Sequence, residues 1–385
     1  MAATTTEGDS TAQRRPRTAL VQDHVAQRGG AERVGLVLLE ALGTDTLHTS
    51  VYAPERTYPE FAAVDVRPRW FSRLPLVRRD HRYAFPLMPL GMGGIDAPAD
   101  VLLTASAGWS HGVKATGRKV VYWFAPPRWI YQQDDYLGSR GWISRAVRAA
   151  TPLLRIWDRR AVRSADRHLA VSEEVADRLR RFYGVEAEVV HPPLTLAGTP
   201  KPVDGIDPGY LLVVSRLLSY KHVHVVAEAM AQLPDRRLVV VGTGPFEDEI
   251  RRRAPDNVDF VGSVSDDELS WLYGNCAVLV AAAFEDFGLT PLEAADHGRP
   301  TVALRAGGYL DTIEEGRTGW FFESLAHDDV LPAIEKALAT DWDPDALRAH
   351  AARFSNERFV ALIQAIVEEE VRCQASDSAL APRTS

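Results

Sequence analysis

The sequence predicts two doubly wound, Rossmann-like α/β domains facing a central cleft. Short apolar runs of strand character alternate with helical stretches along the chain, the pattern of parallel sheets flanked by helices. At 385 residues the chain exceeds one typical domain. Residues 195–209 gather Gly198, Pro200, Pro202, Gly205, Pro208 and Gly209, the composition of a linker between two such units.

In the first half, residues 18–22 read as the opening strand. The loop after it carries Gly29-Gly30, and residues 31–42 then place apolar side chains at helical spacing. Residues 101–104, 119–123 and 168–171 read as later strands of the same sheet. Ser172 is placed to cap a helix running to Tyr183. Residues 187–190 lead into His191-Pro192-Pro193, and a proline pair ends a strand. In the second half, residues 210–214, 237–241, 258–261, 277–280 and 300–304 read as strands with helices between them. No short-period repeat interrupts this order. Ligands of such sheets bind beyond the carboxyl ends of the strands.

Bulk properties narrow the function. Hydrophobic residues make up 46% and charged residues 25%, the balance of a globular protein. The formal net charge of -8 argues against nucleic acid as a partner, and an anionic ligand then needs a local cationic pocket. Cys276 and Cys373 lie far apart and match no metal spacing. Cys276 sits in an apolar run and reads as a reduced core thiol, which fits a reducing compartment. The first 16 residues lack an apolar segment of the secretory kind, and nowhere do 18 apolar residues run together. A cytoplasmic location is the expectation.

Three features converge on the cleft of the second domain. Arg216 and Lys221, five residues apart, bracket the turn after a strand. Two cations beside backbone N–H groups suit a diphosphate; taken alone, two solvated surface charges explain them equally well. Gly242 and Gly244 follow the next apolar strand, where a glycine lets another group approach the backbone or simply makes a tight turn. Glu285 precedes a glycine turn, and Glu293 falls on the helix expected to start near Pro291, so both carboxylates can face the cleft and accept hydrogen bonds from hydroxyls.

These residues carry a resemblance. The stretch 213–322 resembles the nucleotide-sugar domain of the family 4 retaining glycosyltransferases, two-domain proteins of the GT-B fold. The matching pieces are Arg216-x4-Lys221, the segment 241–245, Glu285-x7-Glu293, Gly307-Gly308 and the segment 318–322. Gly29-Gly30-Ala31-Glu32 is similar to the family's N-terminal glycine loop. Residues 86–89, 105–107 with 111–113, 125–128 and 190–193 are similar to its mannosyltransferase-like branch. Residues 353–359 resemble the start of its C-terminal helix. The domain division implied is a tail over 1–16, an acceptor-side domain over 17–195 and a linker over 196–209. A nucleotide-sugar domain over 210–355, a helix over 356–373 crossing back to the first domain and a tail over 374–385 complete it.

The resemblance implies roles. Arg216 and Lys221 hold the donor diphosphate and stabilise the leaving group's charge, a large catalytic term. Glu285 binds hydroxyls of the transferred sugar and Glu293 those of the ribose. Phe287, Gly288 and Leu289 lie along the sugar and phosphate, Gly29, Gly30 and Gly242 close to the phosphates, and Ser263 by the nucleobase. The two cations do the work that a metal does elsewhere, so no metal or other cofactor is expected. Asp134-Asp135 and Asp266-Asp267 read as solvated or capping residues. The implied reaction is a front-face substitution in which the leaving phosphate takes the acceptor's proton. The branch favours mannose from a GDP-sugar, with UDP-sugars open. The acceptor is a glycan, lipid-linked or small-molecule hydroxyl, as in polysaccharide biosynthesis.

One departure concerns the acceptor side. Related sequences place a histidine where this chain has Phe124. His111 is the nearest substitute, and Arg128 the second acceptor-side candidate; a loop histidine explains His111 as well. Residues 140–167 and 67–79 interleave arginines with Trp, Leu and Ile, which fits either a peripheral membrane contact or a solvated helix face interrupted at Pro152. Two other functions share the architecture: a non-catalytic nucleotide-sugar-binding protein, and a nucleotide-sugar 2-epimerase, which lacks this arrangement of carboxylates and cations.

Overall fold

The computed structural model describes residues 16–74, 77, 88–131 and 142–380. Residues 1–15, 75–76, 78–87, 132–141 and 381–385 fall outside, and with them Asp134-Asp135, all but one residue of the expected N-terminal tail, the end of the C-terminal one, and parts of the 67–79 and 86–89 segments.

Two parallel sheets form. The first has seven strands in the order β3-β2-β1-β4-β5-β6-β7. They are β1 (Thr18–Val25), β2 (Thr46–Tyr52), β3 (Asp65–Pro68), β4 (Val101–Ser106), β5 (Arg118–Trp123), β6 (Arg167–Ala170) and β7 (Glu188–Val189). The second has six in the order β10-β9-β8-β11-β12-β13. These are β8 (Leu211–Val214), β9 (Leu238–Val241), β10 (Val258–Gly262), β11 (Val278–Ala281), β12 (Thr301–Leu304) and β13 (Gly319–Phe322). Helices cover both faces, so the central strands bury both sides and read as unbroken apolar runs, as in the fully buried β4 and β9. The strand order reverses between β1 and β4 and again between β8 and β11, where open α/β sheets place their ligands.

The expected strands form, most with shifts of a residue or so; β1 runs three residues further, to Val25. β2, β3 and β13 are additions. In β2 the buried Thr49 and Ser50 break the apolar signal, and Ser50 is accommodated by donating its hydroxyl to the Asp23 carbonyl.

Six helices matter for the site: α1 (Gly30–Leu42), α2 (Trp142–Arg163), α3 (Glu173–Tyr183), α4 (Asp266–Asn275), α5 (Leu289–Asp296) and α6 (Asn356–Leu380). Pro152 does not interrupt α2: it lies on an exposed turn, where water can take the carbonyl that the missing N–H frees. Ser172 caps α3 by accepting from the Val175 N–H at 3.1 Å, and Ser265 caps α4 in a reciprocal box with Glu268. α6 crosses back onto the first sheet, burying Phe359, Ile363, Ile366 and Val367 in one cluster with Leu38, Val121 and Trp123. The helix does not stop at Cys373 as expected; it runs to Leu380, and Arg118 holds both Glu370 (2.8 Å) and Asp377 (3.3 Å) along it.

Candidate functional site

The carboxyl ends of the two sheets face each other across a cleft whose walls touch. The turn after β8 and the turn after β9 are locked together: the Ser215 N–H donates to the Val241 carbonyl at 3.0 Å and the Leu217 N–H to Thr243 at 3.0 Å. Gly242 makes this possible. Its φ is 122°, and a Cβ there would collide with the Ser215 carbonyl. Its near neighbour is thus the β8 turn, which is the tight-turn reading of that glycine.

From this turn the two cations diverge. Lys221, on a one-turn 3-10 helix, is buried and its ammonium bonds the Glu285 carboxylate. His222 follows it in the left-handed region at φ 53°, a strained conformation for a residue with a Cβ. Arg216 is exposed and reaches across the cleft, where it donates to the Gln27 side-chain oxygen at 3.3 Å. Gln27 belongs to the loop that carries Gly29 and Gly30.

Glu285 stands on the loop after β11. Gly308 donates its N–H to the Glu285 carbonyl at 2.9 Å, and a Cβ on Gly308 would strike the Phe287 backbone. The glycine pair 307–308 therefore sets the path of the 285–288 loop. Phe287 is buried and stacks on His191, with ring centroids 5.3 Å apart. Gly288, at φ 88°, starts α5 at Leu289, two residues before the Pro291 start expected. Leu289 comes within 3.0 Å of where a Gly30 side chain would begin, so the loops of the two domains meet there. Glu293, on α5, accepts from the Tyr273 hydroxyl at 2.6 Å, and burial raises its pKa. Ser263 is exposed just past β10.

The two acceptor-side candidates fare differently. His111 does not face the cleft. It is fully buried between Trp123 and Trp157, with Nε2 at 2.8 Å from Asp158 and Nδ1 at 3.0 Å from Ser106. Both ring nitrogens are engaged in the core, so the loop-histidine explanation holds and His111 has no route to an acceptor. Arg128 does reach the cleft, where it pairs with Asp286 of the other domain.

Asp286 escaped the sequence reading. It binds Arg128 and also Arg178 of α3, and its carbonyl accepts from the Ser172 hydroxyl. Burial pushes its pKa up, and the two guanidiniums outweigh this and hold it below the ordinary carboxylate value. No local pattern announces the partners, which lie 158 and 108 residues away. Asp266 is likewise more than a solvated cap: it pairs with Arg33 of α1, whose guanidinium also lies 4.5 Å from the Tyr58 ring centroid. Among the described residues no cluster of three or more His, Cys, Asp or Glu could hold a metal ion.

Comparison with known proteins identifies both halves. Residues 28–197 match the family described as Glycosyltransferase Family 4, and residues 201–356 that described as Glycosyl transferases group 1. A sulfoquinovosyl transferase of Arabidopsis thaliana is 29% identical over 216 residues, 51% of this chain and 42% of its own. A GDP-mannose-dependent alpha-mannosyltransferase of Corynebacterium glutamicum is 33% identical over 129 residues, 33% of this chain and 31% of its own. The matched stretch thus spans less than half the length of these two relatives. Among solved structures, sucrose-phosphate synthase from Thermosynechococcus elongatus superposes with a TM-score of 0.69 at 18% identity, covering 92% of this chain and 98% of that one. The Anabaena protein HepE, in complex with UDP-glucose, superposes at 0.62 and 17% identity, covering 92% and 100%.

Proposed function

This chain belongs to the family 4 glycosyltransferases, and from that premise we propose that it moves a sugar from a nucleotide-sugar donor onto an acceptor hydroxyl. The observation that carries the reading is the placement of the two cations. Lys221 is held against Glu285, and Arg216 lies opposite the Gly29-Gly30 loop. A diphosphate seated between them meets positive charge from one domain and open backbone from the other. Both charges stabilise the leaving nucleotide as the glycosidic bond breaks, the term that usually lowers such barriers most. Glu285, beside Lys221, accepts hydrogen bonds from the transferred sugar, and Glu293, four residues past Leu289, from the ribose. The backbone of Phe287, Gly288 and Leu289 runs along the donor between them, with Ser263 beside the base.

In this reading the protein contributes no nucleophile. The leaving phosphate takes the acceptor's proton on the same face of the sugar, and configuration is retained. Arg216 and Lys221 replace a divalent metal. The donor proposed is a GDP-hexose, mannose foremost; the GDP-mannose dependence of the Corynebacterium relative supports it, and the UDP-glucose of HepE keeps the uridine nucleotide as the rival. The acceptor is proposed to sit at a bilayer surface. α2 exposes Leu153 (73%) and Ile156 (52%) beside Arg155 and Arg159, an arrangement suited to an anionic interface. No described helix is long and apolar enough to cross a membrane.

A calorimetric screen of GDP, UDP, ADP and dTDP and then their sugars, each with and without EDTA, tests the reading. One nucleotide should bind selectively, and EDTA should leave its Kd unchanged. Glu285→Ala should keep that Kd within threefold while transfer falls at least 100-fold. Binding to none would sink the transferase reading. Binding without transfer would favour a nucleotide-sugar binder, and an epimerised sugar without any acceptor a 2-epimerase.

A further inference from the structure

The loop 285–288 is backed by the segment 307–314, and a histidine holds that segment from behind. Gly308 donates to the Glu285 carbonyl, and the ring of the buried Tyr309 lies against Gly288, 2.6 Å from where a Cβ would stand. The one-turn helix Tyr309–Thr312 ends on the Thr312 carbonyl, which lies 2.9 Å from Nε2 of His350. A carbonyl can only accept, so Nε2 carries the proton and donates it there. His350 is 2% exposed and belongs to the helix Pro344–Ala351.

Two further contacts fix this imidazole. Nδ1 lies 3.2 Å from the Glu314 carboxylate, an ion-pair distance without the alignment of a hydrogen bond. Glu314 also holds Arg317 at 2.8 Å and Arg353. Burial pushes the Glu314 pKa up, and His350, Arg353 and Arg317 outweigh this and hold it below the ordinary carboxylate value. Beside the ring stands Phe354, with centroids 5.6 Å apart, which packs in turn on Phe287 at 6.1 Å. His350 thus reaches the 285–288 loop by two routes, through the Thr312 carbonyl to the glycine pair and through Phe354 to Phe287. Its own helix packs on α5, where Leu347 and Ala351 share a cluster with Ala295. α5 carries Glu293, so this one side chain joins the part of the site assigned to the sugar to the part assigned to the ribose.

We propose that His350 is a positioning residue for the transferred sugar. Its Nε2–H, bonded to the Thr312 carbonyl, holds the 307–312 segment against the 285–288 loop, so that Glu285 and the Gly288 backbone stand in place when the sugar arrives. The inference rests on the transferase reading above, which assigns the sugar to that loop.

The test is calorimetric and needs no acceptor. Wild type, His350→Gln and His350→Asn, each well below its melting temperature, are titrated with the nucleotide and the nucleotide sugar that the screen selects. A glutamine side chain can place an amide N–H where Nε2 stands; asparagine, one carbon shorter, places it where Nδ1 stands and leaves the Thr312 carbonyl unbonded. His350→Asn should weaken the nucleotide sugar by about tenfold, the worth of one buried hydrogen bond left unmade, and leave the nucleotide Kd within about twofold. His350→Gln should keep both Kd values within about twofold of wild type, since its hydrogen bond survives. The proposal is overturned if His350→Asn binds the nucleotide sugar as wild type does, or if His350→Gln is as weak as His350→Asn. It is also overturned if His350→Asn loses nucleotide and nucleotide sugar alike, the mark of a role in the fold alone. In the wild-type chain, amide exchange over residues 307–314 should slow when the nucleotide sugar is added and not with the nucleotide; equal protection by both overturns the proposal even where a variant does not fold. Failure of every nucleotide to bind wild type is read separately and falls on the transferase reading.

Discussion

Lys221 and Glu285 pair with each other, so each holds the other in place. Glu32 is the opposite case, a fully buried carboxylate with a poor set of partners. Burial raises its pKa to about 8, against smaller opposing pulls from its own backbone hydrogen bond, Arg216 and Gln27, and His24 is the other titratable group facing it. The sign follows from linkage. A folded pKa above the unfolded value of 4.5 favours the fold fully below pH 4.5 and loses that contribution as pH rises to about 8. Glu32→Gln removes this titration. Its stability relative to wild type should therefore climb through the pH 5–8 window, by at most about 1.4 kcal/mol per pH unit. Melting temperatures across pH 5 to 8 check this, and parallel curves for the two proteins would contradict it.

At the scale of elements, caps and glycine turns set where each helix begins and so where each side chain points. Gly288 starts α5, which puts Leu289 against Gly30 and Glu293 against Tyr273. Ser172 both caps α3 and ties it to the 285–288 loop. These placements were partly legible, because caps and glycine turns act over three or four residues. α2 shows where such reading ends: a proline pattern suggested an interruption, and an exposed turn absorbed it. The apolar side chains that α2 exposes carry an expectation of their own. Leu153→Asp with Ile156→Asp should reduce cosedimentation with vesicles of anionic phospholipid at least fivefold, while neutral vesicles stay unbound by either protein. Equal sedimentation of variant and wild type would remove the membrane contact from the reading.

For the molecule as a whole, Asp286 is the hinge point of the electrostatics. It draws Arg128 and Arg178 of one domain onto the loop that carries Glu285 in the other. Asp286→Ala would leave the largely buried Arg178 with Glu174 as its remaining acidic partner, a loss on the order of 3 kcal/mol. In solution the free protein should then open, seen as a larger radius of gyration by X-ray scattering and reversed by donor. An unchanged radius would mean that the apolar contacts of Phe287, Leu289 and Leu292 suffice to hold the cleft shut.

By itself the sequence determined what short-range chemistry controls. That covers the alternation of strands and helices, the cap at Ser172, the helix start at Asp266, and the placing of Arg216, Lys221 and Glu285 at strand ends. The tertiary structure alone decided which charges meet. Arg216 reaches Gln27 across 189 residues of chain and Arg128 reaches Asp286 across 158. It also decided that His111 is sealed in the core while Arg128 reaches the cleft. Exposure and ion pairing depend on what another segment brings alongside, and no local pattern records that.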